Sequence, residues 1–160
     1  MSYEAMISAG AVFSYCVETV SGTRPSTSYI KIPEIKSVPS FNPQPESIET
    51  TPLEETEYKT YVEGLRDLGG AIGFKANLTN SLVTKWASCV SAHDTGVAAT
   101  PALATWFCVS HPKLTNAVFF QGDPAALGLD EMSVGSVLET TLYVTPNSAP
   151  QWASKPSFAS

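Results

Sequence analysis

Over residues 72–79 the side chains alternate one by one: Ile72, Phe74, Ala76 and Leu78 against Gly73, Lys75, Asn77 and Thr79. A period of two sends successive side chains to opposite faces of a pleated backbone, so this stretch predicts a strand with one dry face and one wet face. The pattern recurs. Phe13, Tyr15 and Val17 alternate with Ser14, Cys16 and Glu18. Residues 29–32 are a short β-branched piece closed by Pro33. Residues 103–110 are apolar on both faces, with Leu103, Phe107 and Val109 on one and Trp106 and Cys108 on the other, which predicts a central strand. Residues 117–121 follow a short turn at 111–115, so these two segments predict a hairpin. A last strand spans 137–145, with Leu138, Leu142 and Val144 on its dry face.

Helical spacing occurs once. Leu82, Val83, Trp86, Cys89, Val90 and His93 form one apolar stripe; Asn80 is placed to cap it and Gly96 to end it. Gly122, Asp123 and Pro124 predict a loop running to about 135. Pro146, Pro150 and Pro156 predict an extended or mobile tail over 146–160. The fold class is therefore mainly β: a β-sandwich or partly closed barrel with one packed α-helix, as a single domain over 1–160.

One segment escapes the pattern. Residues 41–70 hold Pro43, Pro45 and Pro52 and read as a long inserted loop. Between 46 and 67 stand Glu46, Glu49, Glu54, Glu55, Glu57, Glu63 and Asp67 against only Lys59 and Arg66, a local −5 out of −6 for the whole chain. Tyr58, Tyr61, Val62 and Leu65 lie in the same segment, and such side chains call for partners.

Little points to chemistry. An acidic chain with no Lys/Arg run does not attract a phosphate backbone. Cys16, Cys89 and Cys108 are an odd, widely spaced set without CxxC, which reads as buried reduced thiols and no zinc site. His93 and Asp94 are helix neighbours pointing apart, so His93 reads as packed and not as part of a triad. His111 has no metal-ligand spacing with it. The cluster Gly69, Gly70 and Gly73 lacks a following GK[ST] and precedes a strand, which predicts a turn or bulge. Trp106, Phe107, Phe119 and Phe120 have no interleaved basic residues and read as core. No catalytic residue, metal site or cofactor is expected. Residues 1–15 lack a basic leader and carry Glu4, so no secretory signal is expected, and no apolar run is long enough to span a bilayer.

Three stretches in sequence carry a family likeness: SYIKIPEI at 28–35, PESIETTPL at 45–53 and YKTYVEGLRDLG at 58–69. This pattern resembles the major tail tube proteins of siphophages, the bacteriophages with long non-contractile tails, and the order of strands and helix after it fits over about 29–145. Glu49 stands where the family commonly has Asp, and Pro52 and Leu53 follow Thr51. The resemblance implies a virion structural protein made in the host cytoplasm. It implies hexameric rings of this chain stacked into a tube for DNA ejection, with the long loop reaching a neighbouring ring. Tail terminator, tape measure and baseplate or tip proteins are the implied partners, and DNA passes without specific binding. Phe41, Glu46, Ile48, Leu53, Tyr58, Tyr61 and Leu65 are then candidates for contacts between rings or subunits, and Glu46, Glu49, Glu54, Glu55 and Glu57 are candidates to face the lumen or its rim. Two other readings remain open from the residues: another virion or fibre subunit, and a small ligand-binding β-barrel.

Overall fold

The computed structural model describes residues 10–159. Residues 1–9 of the segment expected to lack a leader, and both ends of the expected domain, lie outside these. Ten strands and one helix are present among the described residues. The main sheet runs β2 (Ile30–Lys31), β1 (Val12–Val17), β7 (Thr105–Ser110), β8 (Asn116–Pro124), β9 (Glu139–Pro146), β6 (Ile72–Asn77), β3 (Ile35–Ser37). All its strand pairs are antiparallel. The sheet curls into a half-barrel, mainly β as the alternation predicts.

The helix α1 (Asn80–Ala98) fills the concave side. Its buried residues Leu82, Trp86, Cys89 and His93 are the anticipated stripe, while Val83 stays exposed. They meet a row of rings: Phe74 stacks on Phe13 at 4.1 Å, Phe13 on Phe107 at 5.5 Å, and Phe107 on Phe120 at 5.7 Å. Each such pair adds roughly 0.5–1.5 kcal/mol beyond area burial. The Trp86 indole N–H donates to the Ala125 carbonyl at 2.8 Å, so the buried indole leaves no polar atom unpaired.

β7 is buried on both faces, as its two-sided apolar pattern requires. Phe107 faces the helix; Trp106 and Cys108 face a second cluster with Cys16, Tyr29, Ala117 and Phe119. What covers that second cluster is the C-terminal segment. There β10 (Gln151–Ser154) pairs with β8, and Tyr29 bridges Phe158 in parallel. The tail is thus extended, but docked.

Four local expectations need correction. Thr79, not Asn80, caps the helix: its hydroxyl accepts from the Leu82 N–H at 3.2 Å, and β6 turns into α1 one residue earlier than the stripe suggested. Gly96 does not end the helix; it lies inside it at a close approach, where a Cβ would meet Val17 at 2.9 Å and the Leu103 carbonyl at 3.1 Å. Gly122, Asp123 and Pro124 are strand, not loop, because β8 passes from β7 to β9 there, and a Cβ on Gly122 would strike Val144 at 2.5 Å. The 41–70 segment is not irregular: β4 (Pro45–Glu49) and β5 (Tyr61–Arg66) form a separate two-stranded antiparallel sheet.

Candidate assembly surface

The β4–β5 hairpin is an arm attached to the half-barrel. Ile48 pairs with Val62, Glu49 with Tyr61 and Ser47 with Glu63, and a bulge between Pro45 and Ser47 shifts the register toward the base. Gly64 sits at that bulge, with Ile48 and Glu46 so near that a Cβ would meet both within 3.3 Å. A short polar ladder extends the pairing beyond β4: Thr50 N donates to the Thr60 carbonyl at 2.8 Å, and Thr60 N donates to the Thr51 hydroxyl at 2.8 Å.

The tip is folded as well. Glu55 N donates to the Pro52 carbonyl, and the Glu55 carboxylate accepts from Glu57 N at 2.9 Å and Tyr58 N at 3.4 Å. The Glu57 N–H, then that of Tyr58, holds the Glu55 carboxyl below the usual carboxylate range. Glu55 is thereby spent on its own turn. Leu53, at 106 % exposure, is left fully in solvent beside Glu54 and Glu57.

Of the residues singled out for contacts between subunits, the structure separates one from the rest. Phe41 is half-buried and packs edge-on against Phe120 at 5.2 Å, against the subunit's own core. Ile48, Leu53, Tyr58, Tyr61 and Leu65 are all exposed, and so is Val62. An isolated hairpin is at best marginal in water. This one keeps its larger apolar side chains in solvent, so it presents an exposed apolar patch. The acids do not share a face. Glu46 lies on the side of Ile48 and Gly64, whereas Glu49 lies opposite it with Tyr61, and Glu54, Glu55 and Glu57 are at the tip.

The polar groups of the half-barrel serve its packing. His93 is buried, with Nδ1 2.8 Å from the Thr105 hydroxyl and Nε2 3.4 Å from an Asp123 carboxylate oxygen. The partner is Asp123, not the adjacent Asp94, and the cluster ties α1 to β7 and β8. Thr105 is 1 % exposed, so its hydroxyl is closed to any substrate. His111 accepts from Lys113 N in the β7–β8 turn. All three cysteines are free and buried. Desolvation pushes the Cys89 thiol up to about 12 and Cys108 to about 11, and raises Cys16, so none is an activated nucleophile. Among the described residues, no three His, Cys, Asp or Glu side chains gather as a metal cage, and no helix is long and apolar enough to cross a membrane.

Sequence reasoning missed Glu18. It is 3 % exposed and accepts from the Trp106 indole N–H and Ala104 N at 2.9 Å each and from Gly22 N at 3.2 Å. Its place on the polar side of an alternating strand disguised it. A carboxylate at the end of an alternating segment, four residues before Gly22, was the available signal.

No family model matches the chain, and no curated protein matches it. Among solved structures, the fold is similar to a chain in the cryo-EM structure of the anti-feeding prophage (AFP) baseplate, 6-fold symmetrised. The TM-score is 0.63 at 10 % identity, over 96 % of this chain and 98 % of that one. At that identity the likeness is one of fold, and it runs essentially end to end.

Proposed function

We propose that this protein is a structural subunit of a phage-tail-like particle, assembling into six-membered rings of the tail tube type, and not an enzyme. The observation that carries the reading is the end-to-end fold likeness to a chain of a six-fold baseplate, covering 96 % of this chain and 98 % of that one. The motifs at 28–35, 45–53 and 58–69 support it independently, since they resemble the siphophage tail tube pattern. The arm supports it physically: exposed Ile48, Tyr61, Val62 and Leu65 gain by burial against other copies.

The charge distribution fits a conduit. Fixed negative charge near a bore keeps phosphate from adhering, because there are no cationic contacts to release counterions. With Glu46 and Glu49 on opposite faces of the arm, one of these two β4 acids per subunit faces the bore in this reading. The virion is then the site of action, with other tail proteins at the ring faces.

The baseplate origin of the structural neighbour favours a second placement within the same reading, a single ring at the tail end instead of a stacked tube. Negative-stain microscopy of the purified full chain at high concentration tests both. Rings that stack into tubes are expected. Single rings that never stack would move the protein to the tail end. A strictly monomeric chain at about millimolar concentration, absent from tail-like particles, would overturn the proposal.

A further inference from the structure

Opposite the arm's acids in chemistry, though not in the chain, lies an open cleft of about 840 Å³ between the β2–β3 edge and the N-terminal half of α1. Its floor is apolar: Ile30, Ile35 and Phe158 are half-buried within it. Two exposed lysines stand at its walls. Lys31 holds its ammonium 4.7 Å above the Phe158 ring, and Lys85 projects from the second turn of α1. The single carboxylate of the lining, Glu34, is turned to the Asn77 amide at 3.4 Å. Glu34 itself has φ 66°, in the left-handed region, and is held there by the Asn77 N–H donating to its carbonyl at 2.9 Å. That bond ties residue 34 of the cleft wall to β6.

The other bases near this edge of the sheet are already matched. Lys36 pairs with Glu139 at 2.7 Å, and Lys75 lies among Asp130, Glu131 and Glu139. Lys31 and Lys85 thus leave the cleft with net positive charge over an apolar floor. The tip of the arm is the complement: one fully exposed leucine, Leu53, flanked by Glu54 and Glu57, on a turn already ordered by Glu55 and Thr51. An ordered tip loses little conformational entropy on docking. Burying Leu53 supplies the apolar gain, and the acid–lysine match fixes the register.

We infer that the Lys31–Lys85 cleft receives the Leu53–Glu54–Glu57 arm tip of a second copy of this chain, as the contact that joins subunits of neighbouring rings. This rests on the proposed assembly and names the surface that the arm meets.

The test uses the full chain under conditions where it forms rings or tubes. Reversing the cleft (Lys31→Glu with Lys85→Glu) or the tip (Glu54→Lys with Glu57→Lys) is expected to weaken stacking by about tenfold or more, since like charges then face each other. Carrying both reversals in one chain is expected to restore stacking. Far-UV circular dichroism checks that each variant keeps its fold. Separately, Glu54→Cys on one population and Lys85→Cys on another are mixed and treated with a short bis-maleimide; the buried native thiols give little background. Covalent dimers are expected only in the mixture. Reversed variants that stack like the native chain, absence of dimers in assembled particles, or cross-links that need both cysteines on one chain would each overturn the inference while leaving the assembly intact. A native chain that forms no rings or tubes would remove the proposed function first, and the docking contact with it.

Discussion

The half-barrel and the arm are both antiparallel β-structure, yet they are held by different physics. In the half-barrel every long strand has neighbours on both sides or is covered by α1 or by the C-terminal segment. Its charges nearly cancel, since seven acids and two bases between 46 and 67 leave −5 of the total −6 in the arm. The arm has a hydrogen-bonded ladder and an ordered tip, but no dry face: Ile48 and Val62 on one side and Tyr61 on the other remain about half in water. Hydrogen bonding gives a hairpin its shape. Burial gives it stability, and the arm's apolar side chains find little of it among the described residues.

The sharpest way to break that contrast is in the half-barrel. Trp86 is fully buried and spends its indole N–H on Ala125. Trp86→Ala is expected to cost about 3–5 kcal/mol in urea unfolding. A cost below about 0.5 kcal/mol would mean that the helix packs no more firmly than the arm.

Glu18→Ala comes next. It strands the Trp106 indole N–H and the Ala104 amide, and loss of charge-assisted hydrogen bonds predicts about 1.5–3 kcal/mol of destabilisation, read from the same unfolding curves. Glu18→Gln keeps an acceptor and is expected to lose less.

Alkaline pH should distinguish the regions on a smaller scale. The thiol of Cys89 is raised by burial from 9.0 to about 12, and Cys108 from 9.0 to about 11. Above pH ~9 the unfolded chain releases these protons and the folded chain holds them, so unfolding gains and stability falls as pH rises. The slope approaches about 1.4 kcal/mol per pH unit for each thiol, and below pH ~9 these groups contribute no pH dependence. Denaturation midpoints at about pH 8, 9 and 10 check it. Cys89→Ala should flatten the decline.

The smallest stability effect belongs to the arm. Replacing residues 42–67 by a short linker removes the hairpin but keeps Phe41 on Phe120. Its ends are paired at Pro45 and Arg66, so closure costs little chain entropy, and unfolding free energy should change by less than about 1 kcal/mol. Ring stacking should be abolished. Unfolding of the deletion variant would show the arm to be part of the subunit's own core.

What was legible in advance followed from periodicity. β6, α1, β7 and the β7–β8 hairpin were readable because each spends several residues with one face in the core, and burial writes its period into the chain. The elements that stayed hidden share the opposite property. β3 is three residues long and β10 four, with mostly exposed side chains, so their pairing rests on backbone groups that any sequence carries. The arm's strands were masked by the same lack of a buried face, and by the prolines and acids around them.

The sequence by itself determined where apolar surface had to be hidden, that three thiols would lie in the core, and that one acidic segment stood apart from a nearly neutral remainder. Only the tertiary structure decided that this segment is a hairpin with its acids divided between two faces and a tip. It also decided that His93 meets Asp123 and not Asp94, and that Gly96 and Gly122 permit close approach instead of turns. The reason is common to all of these. Burial is encoded residue by residue, but which backbone, carboxylate or strand comes to lie within 3–4 Å depends on the path of chain segments distant in sequence, and local periodicity carries no record of it.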